Sequence, residues 1–464
     1  MVIFAAWQQK IRDLFSHRFV RDVSVMQASN ILVMGLAYVG SVLLVRHLGQ
    51  DNYGLYSLSV GLFTFFRYFT DVGLDHSVLP KMTQAHVQND RNRLAQLIGF
   101  YLSISFATAT LLVTLGYGLA PFLAKRMYGN PDVAALTRII LSIAILEIGF
   151  RYCSTVIKSL RQFVPLSVVQ IASQIGRFGL VATGVLLDFD PRGMAFVLIT
   201  GTALSSVFAY IAYRRVASPV DHFPSMSQSL REIRQVPFRP LLISGFAVAL
   251  GKNLGSFCDL FPILVLGTLS MNKVAHFKVV LAVVSLPCTL LSAISSNTTV
   301  KLSELYAQGD IDGFRNAFRK ITWISLKISI GVTLLFALAS PLLLWIYGPE
   351  YLSSLHVALI FLLHPLFAGL GIATTPFFRI VDRVGTINII QACIAVVVLS
   401  AGYFLIRWQG VLGAAILLVV LRNLFRIIGY RTALWMIDRP DLWKSLPDNL
   451  KKPDRAPHSP SEEV

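Results

Sequence analysis

Apolar residues run through this chain in blocks of about twenty, parted by short polar segments rich in Lys, Arg, Gly and Pro. About 20 residues at 1.5 Å each cover a hydrocarbon core of roughly 30 Å. Twelve such blocks lie near residues 24–46, 53–75, 94–120, 133–156, 165–187, 193–213, 241–268, 274–298, 321–346, 354–378, 385–406 and 410–430. The pattern predicts an all-α polytopic membrane protein with twelve transmembrane helices. Residues 1–23 place Phe4, Trp7, Ile11, Leu14 and Phe15 on one face among Lys10, Arg12, Arg18 and Arg21, which predicts an interfacial helix. The tail 438–464, with KKPDRAPHSPSEEV, is expected to be disordered.

Composition agrees: of 464 residues, 55% are hydrophobic and 14% charged, against about a quarter charged in soluble domains. The formal charge of +17 invites a nucleic-acid reading, but the distribution of the bases excludes it. Alternate loops hold Lys81, Arg91 and Arg93, then Lys158 and Arg161, then Arg214, Arg215, Arg231, Arg234 and Arg239. Lys301, Arg315, Arg319 and Lys320 follow, then Arg379 and Arg383, while the opposite loops hold only Arg46, Lys125, Arg126, Arg192, Lys273 and Arg407. That asymmetry predicts cytoplasmic termini. Cys153, Cys258, Cys288 and Cys393 lie in apolar blocks without metal-ligand or disulfide spacing and read as small buried residues.

The basic linker 214–240 divides six spans from six, giving an N-terminal bundle over 24–213 and a C-terminal bundle over 241–437. The halves repeat at an offset of about 220 residues: QNDRNRL (88–94) parallels QGDIDGFRNAF (308–318), and Tyr128-Gly129 parallels Tyr347-Gly348. Six spans are an even number, so both halves enter from one side, as two parallel six-helix bundles around a central cavity.

The opening stretch carries R-x-L-G-x-x-x-Y-G-x-Y as Arg46, Leu48, Gly49, Tyr53, Gly54 and Tyr56, followed by Thr70-Asp71-Val72-Gly73-Leu74. In these residues the chain resembles the bacterial polysaccharide-export flippases of the multidrug/oligosaccharidyl-lipid/polysaccharide (MOP) superfamily, of the O-antigen and exopolysaccharide repeat-unit type. The resemblance covers nearly the whole chain, with its specific motifs in about the first 80 residues. It implies an inner-membrane transporter that flips undecaprenyl-diphosphate-linked oligosaccharide from the cytoplasmic to the periplasmic leaflet, in lipopolysaccharide or related polysaccharide biosynthesis. Implied partners are the lipid-linked oligosaccharide and membrane lipid, with a polysaccharide polymerase or assembly complex as the candidate protein partner. No cofactor is expected; a proton or a sodium ion is the candidate for coupling.

Charge at membrane depth is costly unless it faces protein or water. Nine bases lie within the predicted spans: Arg67, Arg138, Arg151, Arg177, Lys252, Lys278, Lys327, Arg422 and Arg426. Arg138, Lys278 and Lys327 lie close enough to a membrane face to snorkel. Arg177, Lys252 and Arg422 fall about 16–18 Å deep. The acids are fewer: Asp71, Asp75, Glu147 and Asp259. Lys252 and Asp259, seven residues apart, return to nearly one helical face, and Arg67 and Asp71 are spaced for a local pair. Two readings stay open: interhelical ion pairs that lock the bundle, or a cationic cavity for an anion such as a diphosphate. The second is favoured because bases outnumber acids and the excess is not repeated between halves. Arg67, Arg177 and Lys252 are the candidate substrate-binding residues; Asp71, Glu147 and Asp259 are the candidates for coupling or ion pairing. Arg422 and Arg426 fit peripheral packing or a lipid headgroup equally.

Pro262, Pro287, Pro365 and Pro376 are candidate hinges, His364 reads as packed, and Asp188-Phe189-Asp190 as a turn. A multidrug exporter of the same superfamily is the alternative function, disfavoured because cationic drugs call for an acidic cavity. An enzyme is not expected: external loops are short, and no nucleophile-base pair, metal cluster or phosphate-binding glycine loop is present.

Overall fold

The computed structural model describes residues 18–219, 223–224, 228–229, 238–308, 310–381 and 383–439. The interfacial segment up to residue 17, most of the linker and the tail from residue 440 lie outside the described residues. Every regular element among those described is helical. In chain order they are α1 (Arg18–Thr70), α2 (Leu74–Ser77), α3 (Leu79–Val87), α4 (Arg91–Leu123), α5 (Pro131–Leu141), α6 (Ile143–Ser159), α7 (Phe163–Leu186) and α8 (Pro191–Ala217). The second half has α9 (Phe238–Gly267), α10 (Met271–Ala307), α11 (Ile311–Tyr347), α12 (Leu355–Phe361), α13 (Leu363–Leu366), α14 (Ala368–Ile380), α15 (Val384–Gln409) and α16 (Val411–Ile437).

Ten of the described helices are long and apolar enough to cross a membrane, α5 and α6 counting as one. The first of them holds two spans. Its run is broken at Gly49, whose φ of 70° and ψ of 176° leave the helical region and suit glycine alone. A further span is bent by 40°, with Pro349–Leu366 as one arm and Ala368–Ile380 as the other. With the first helix divided and the bent pair counted once, twelve spans result, six on each side of the linker. Leu186, Leu338 and Trp408 are among the most exposed side chains, the outward apolar surface of a multi-pass membrane protein.

The repeat seen in the sequence reappears as local chemistry. Asp90 caps α4 by accepting the Arg93 N–H at 2.9 Å, and Asp310 caps α11 by accepting the Gly313 N–H at 2.8 Å. Each cap satisfies one of the first-turn donors that a helix leaves open. The two Tyr-Gly turns also play matched parts. Tyr347 of the second half reaches the first span, its hydroxyl 2.7 Å from Ser41 Oγ and its ring edge-on to Tyr38 at 5.4 Å. Tyr128 of the first half lies against Gly267, where an added Cβ would come within 2.9 Å of the Tyr128 ring. Arg46 strengthens the first of these joints by donating its Nε–H to the Ile346 carbonyl at 2.7 Å, one of the last-turn carbonyls of α11.

The halves meet chiefly where α1 and α2 pack on α9, α10 and α11. Small residues set how closely they approach. Gly54 faces the Met271 carbonyl and Gly73 faces the Gly245 carbonyl so tightly that neither position has room for a methyl group.

The second span ends earlier than its apolar pattern suggests. The helix stops at Thr70 rather than near residue 75, because Gly73 takes a left-handed φ of 69° and turns the chain against Gly245. Asp71 and Asp75 are therefore not on the Arg67 helix, and the expected local Arg67–Asp71 pair does not form. Of the four candidate hinge prolines, Pro262 and Pro287 sit within continuous helices, while Pro365 and Pro376 both lie in the bent span, one in each arm. The Asp188–Asp190 stretch is a turn: Asp188 has a φ of 55° and Asp190 caps α8 through the Gly193 N–H. Cys153 and Cys258 are buried as expected, whereas Cys288 is half-buried and Cys393 exposed.

Candidate functional site

The end of the second span, α4 and α6 enclose a pocket lined by Phe63, Arg67, Asp71, Ser105, Glu147 and Arg151, among others. Arg67 is carried into it by the last turn of α1, and its Nη2 meets Glu147 Oε1 at 2.9 Å. Asp71 lies just past the helix end. Its Oδ1 accepts the Gly73 N–H at 3.0 Å, fixing the turn, and its Oδ2 lies 3.3 Å from Lys252 Nζ. The neighbour of Lys252 completes this joint: Asn253 Nδ2 donates to the carbonyls of Tyr68 and Asp71 at 3.1 and 3.2 Å. A side chain of the second half thus satisfies backbone acceptors that the end of a first-half helix leaves open.

Asp75 belongs to a separate network. Arg151 Nη2 donates to its Oδ2 at 3.0 Å, while the hydroxyls of Tyr101 and Thr155 donate to its Oδ1 at 2.8 and 3.2 Å. Tyr101 and Thr155 are buried, and this carboxylate is held from two helices, α4 and α6.

Arg177 takes a different arrangement. Its Nε donates to Ser205 Oγ at 3.2 Å on α8, and its stem lies over Gly201, where only a missing side chain leaves room. It has no carboxylate within ion-pair distance among the described residues.

The second half holds its own charged group. Asp259, on the helix that carries Lys252, is clasped in a two-bond pair by Arg422, one bond being Nε to Oδ1 at 3.0 Å. One turn further on, Arg426 Nη1 donates to the His364 carbonyl, to His364 Nδ1 at 3.2 Å and to Asn423 Oδ1 at 3.4 Å. An imidazole nitrogen that accepts from a guanidinium carries no proton, so His364 is neutral here. Arg379, Arg422 and Arg426 together line a pocket between α10, α14 and α16.

The six candidate residues therefore fall in three places. Arg67, Asp71 and Glu147 share the first-half pocket, which Lys252 joins across the seam through Asp71, and Arg177 stands on α7 beside α8. Asp259 turns to Arg422 in the second half. Each deep acid holds one base: Glu147 with Arg67, Asp71 with Lys252, Asp75 with Arg151 and Asp259 with Arg422. Arg177 and Arg426 are the deep arginines without a carboxylate among the described residues. The part played by Arg151, Arg379 and Arg426 did not emerge from depth and spacing alone. The spacing of Arg422 and Arg426 on one face of α16 was its one visible signal.

Residues 19–300 match a family described as polysaccharide biosynthesis protein. Stage V sporulation protein B of Bacillus subtilis (strain 168) is 22% identical over 356 residues, covering 71% of this chain and 67% of that protein. A solved structure of a multidrug resistance MATE family transporter of the MOP superfamily, in its inward-facing conformation, superposes with a TM-score of 0.66 at 14% identity. That match covers 90% of this chain and 96% of the other. A MOP superfamily transporter from Pyrococcus furiosus, whose binding pocket of reverse polarity is described as suggesting a different function, gives a TM-score of 0.60 at 13% identity, over 90% and 95% of the two chains. The two-lobed, twelve-helix fold is that of these structures.

Proposed function

The chain belongs to the polysaccharide biosynthesis protein family, and on that premise we propose that it is a flippase for lipid-linked oligosaccharide. The substrate class is an undecaprenyl-diphosphate-linked oligosaccharide or repeat unit, moved from the cytoplasmic to the periplasmic leaflet of a bacterial inner membrane. The family match supports this reading most strongly, because residues 19–300 run from the first span to the eighth and include the helices that face each other across the seam.

The geometry supports a route by alternating access. The Tyr38–Tyr347 and Arg46–Ile346 contacts join the halves at the ends that carry the Tyr-Gly turns. With those ends outward, the substrate headgroup enters from the cytoplasm while the prenyl chain stays in lipid. Arg67, Arg177 and Lys252 contact the headgroup. Arg67 and Arg177 offer fork-shaped donors to phosphate oxygens and Lys252 a point charge. Binding draws Arg67 from Glu147 and Lys252 from Asp71, which frees carboxylates for a proton or sodium ion, with Asp259 available in the second half. Rocking of the halves then carries the headgroup outward.

The test is flipping of a labelled lipid-linked oligosaccharide in proteoliposomes of the full chain, with Arg67→Ala and Lys252→Ala beside wild type. Flipping by wild type, and its loss in folded variants, is the expected result. Wild type that moves no lipid-linked sugar but exports an organic cation would overturn the reading in favour of multidrug export.

A further inference from the structure

The two lobes differ in how their buried charge is balanced. In the first-half pocket Arg67 and Arg151 stand with Glu147, Asp71 and, behind them, Asp75. In the second half, Arg379, Arg422 and Arg426 line one pocket, and the only carboxylate bonded to any of them among the described residues is Asp259. The stretch of α10 along this pocket, Leu291–Val300, contains no acidic residue in its sequence. At least one guanidinium therefore has no carboxylate partner among the described residues. An unpaired charge removed from water costs several kcal/mol in order of magnitude, so such a group marks a site that a counter-charge completes.

Arg426 is held for that task. Its Nη1 is anchored by His364 and Asn423, whereas its Nε and Nη2 have no partner among the described residues. Its stem runs over Gly371, where a built Cβ would come into ordinary contact with the Arg426 Cγ at 3.4 Å. Arg422, which also lines the pocket, is oriented by Asp259 through Nε and Nη2, which leaves Nη1 without a carboxylate among the described residues. The hydroxyl-bearing residues Ser295 and Thr375 complete the polar wall. Three guanidinium groups with two hydroxyl residues in one concave site match the oxygens of a phosphate group.

We propose that the second-half pocket binds a phosphate or diphosphate group, with Arg426 and Arg379 as its main ligands and Arg422 as a third held in place by Asp259. This site is separate from the first-half pocket and does not depend on what the protein carries. Two sources supply that chemistry: the headgroup of a membrane lipid, or a soluble phosphate compound.

The test is calorimetric titration of the purified full chain, in nanodiscs of phosphatidylcholine, with inorganic diphosphate and with farnesyl diphosphate. Binding of farnesyl diphosphate alone supports the site with a lipid ligand; equal binding of both probes supports it with a soluble one. In either case Arg379→Gln and Arg426→Lys should each weaken binding at least tenfold, while the exposed Lys327→Gln, outside both pockets, leaves it within about twofold. Arg379 is exposed, so its variant keeps the test sound if Arg426→Lys folds poorly. Binding of neither probe, or binding lost in Arg67→Gln but kept in Arg379→Gln and Arg426→Lys, would overturn the proposal. Flipping measured on the same preparations separates the two readings. Diphosphate binding without flipping defeats the flippase proposal alone, and flipping without diphosphate binding in this pocket defeats this one alone.

Discussion

Lys252 and Asp71 form an ion pair of 3.3 Å between the two halves of the molecule, 181 residues apart in the chain. The lysine is half exposed and the aspartate nearly covered, at 50% and 11%. A pair open to water on one side contributes only about 0.2–1 kcal/mol to stability. Under the flippase proposal its value lies in transport. Asp71→Asn keeps an oxygen to accept the Gly73 N–H and removes only the charge. We expect Asp71→Asn and Lys252→Gln to keep the melting temperature within a few degrees and to slow flipping about tenfold, or 1.4 kcal/mol of barrier. Wild-type flipping by both variants would show the pair to be passive.

Gly73 ends the second span and lies against Gly245 with a φ of 69°. A methyl group there meets both backbone strain and the opposing carbonyl. Gly73→Ala should lower stability by about 1–3 kcal/mol, the scale of a strained left-handed residue. Gly35 has no atom within 4 Å of a built Cβ, so Gly35→Ala should be neutral or stabilise by up to about 1 kcal/mol. Thermal unfolding in detergent, followed by gel filtration of the remaining fold, compares the two.

The fold was legible because a bilayer reduces it to one variable. Hydropathy placed the twelve spans, the loop bases the linker, and the 220-residue offset the paired caps Asp90 and Asp310. The site was less so. Depth picked out Arg67, Arg177 and Lys252, but a partner such as Glu147, eighty residues from Arg67, is chosen by helix packing that no local pattern encodes. The Arg67–Asp71 spacing misled for a related reason. Left-handed Gly73 and its contact with Gly245 stopped the helix one turn early and handed Asp71 to Lys252. Sequence leaves Arg426 between packing and a lipid headgroup because its partner, His364, lies in a broken span that no local pattern ties to α16.

Arg151 and Arg67 stand in one pocket, but their surroundings assign them different work. Arg151 holds Asp75, which also accepts from Tyr101 and Thr155, so removing the arginine leaves a carboxylate with only neutral donors. Arg151→Gln should therefore destabilise the protein by about 1 kcal/mol, the low end of the cost of unsatisfying a charged group, because the Asp75 side chain keeps 39% of its surface exposed. Arg67 and Glu147 meet through one bond at the pocket wall, and Arg67→Gln should reduce flipping with less than half that loss of stability. Melting temperature and flipping rate, measured on the same preparations, should rank the variants in opposite orders. The same order in both would mean that Arg67 is structural too.

The contact between Tyr347 and Ser41 makes the strongest prediction about motion. Their hydroxyls are 2.7 Å apart, Tyr38 packs edge-on to the Tyr347 ring, and Arg46 binds the final carbonyls of the same helix, so three side chains of the first half hold one helix end of the second. Alternating access requires these contacts to open in every cycle. In a background with Cys153, Cys258, Cys288 and Cys393 replaced by Ala, a bifunctional thiol reagent joining Ser41→Cys to Tyr347→Cys should abolish flipping, and cleaving the linker should restore it. Tyr347→Phe removes one hydrogen bond worth about 0.5–1.5 kcal/mol, so it should raise the open fraction about two- to tenfold without unfolding the protein. Full flipping by the crosslinked protein would rule out opening at these ends and place the exit of the headgroup elsewhere.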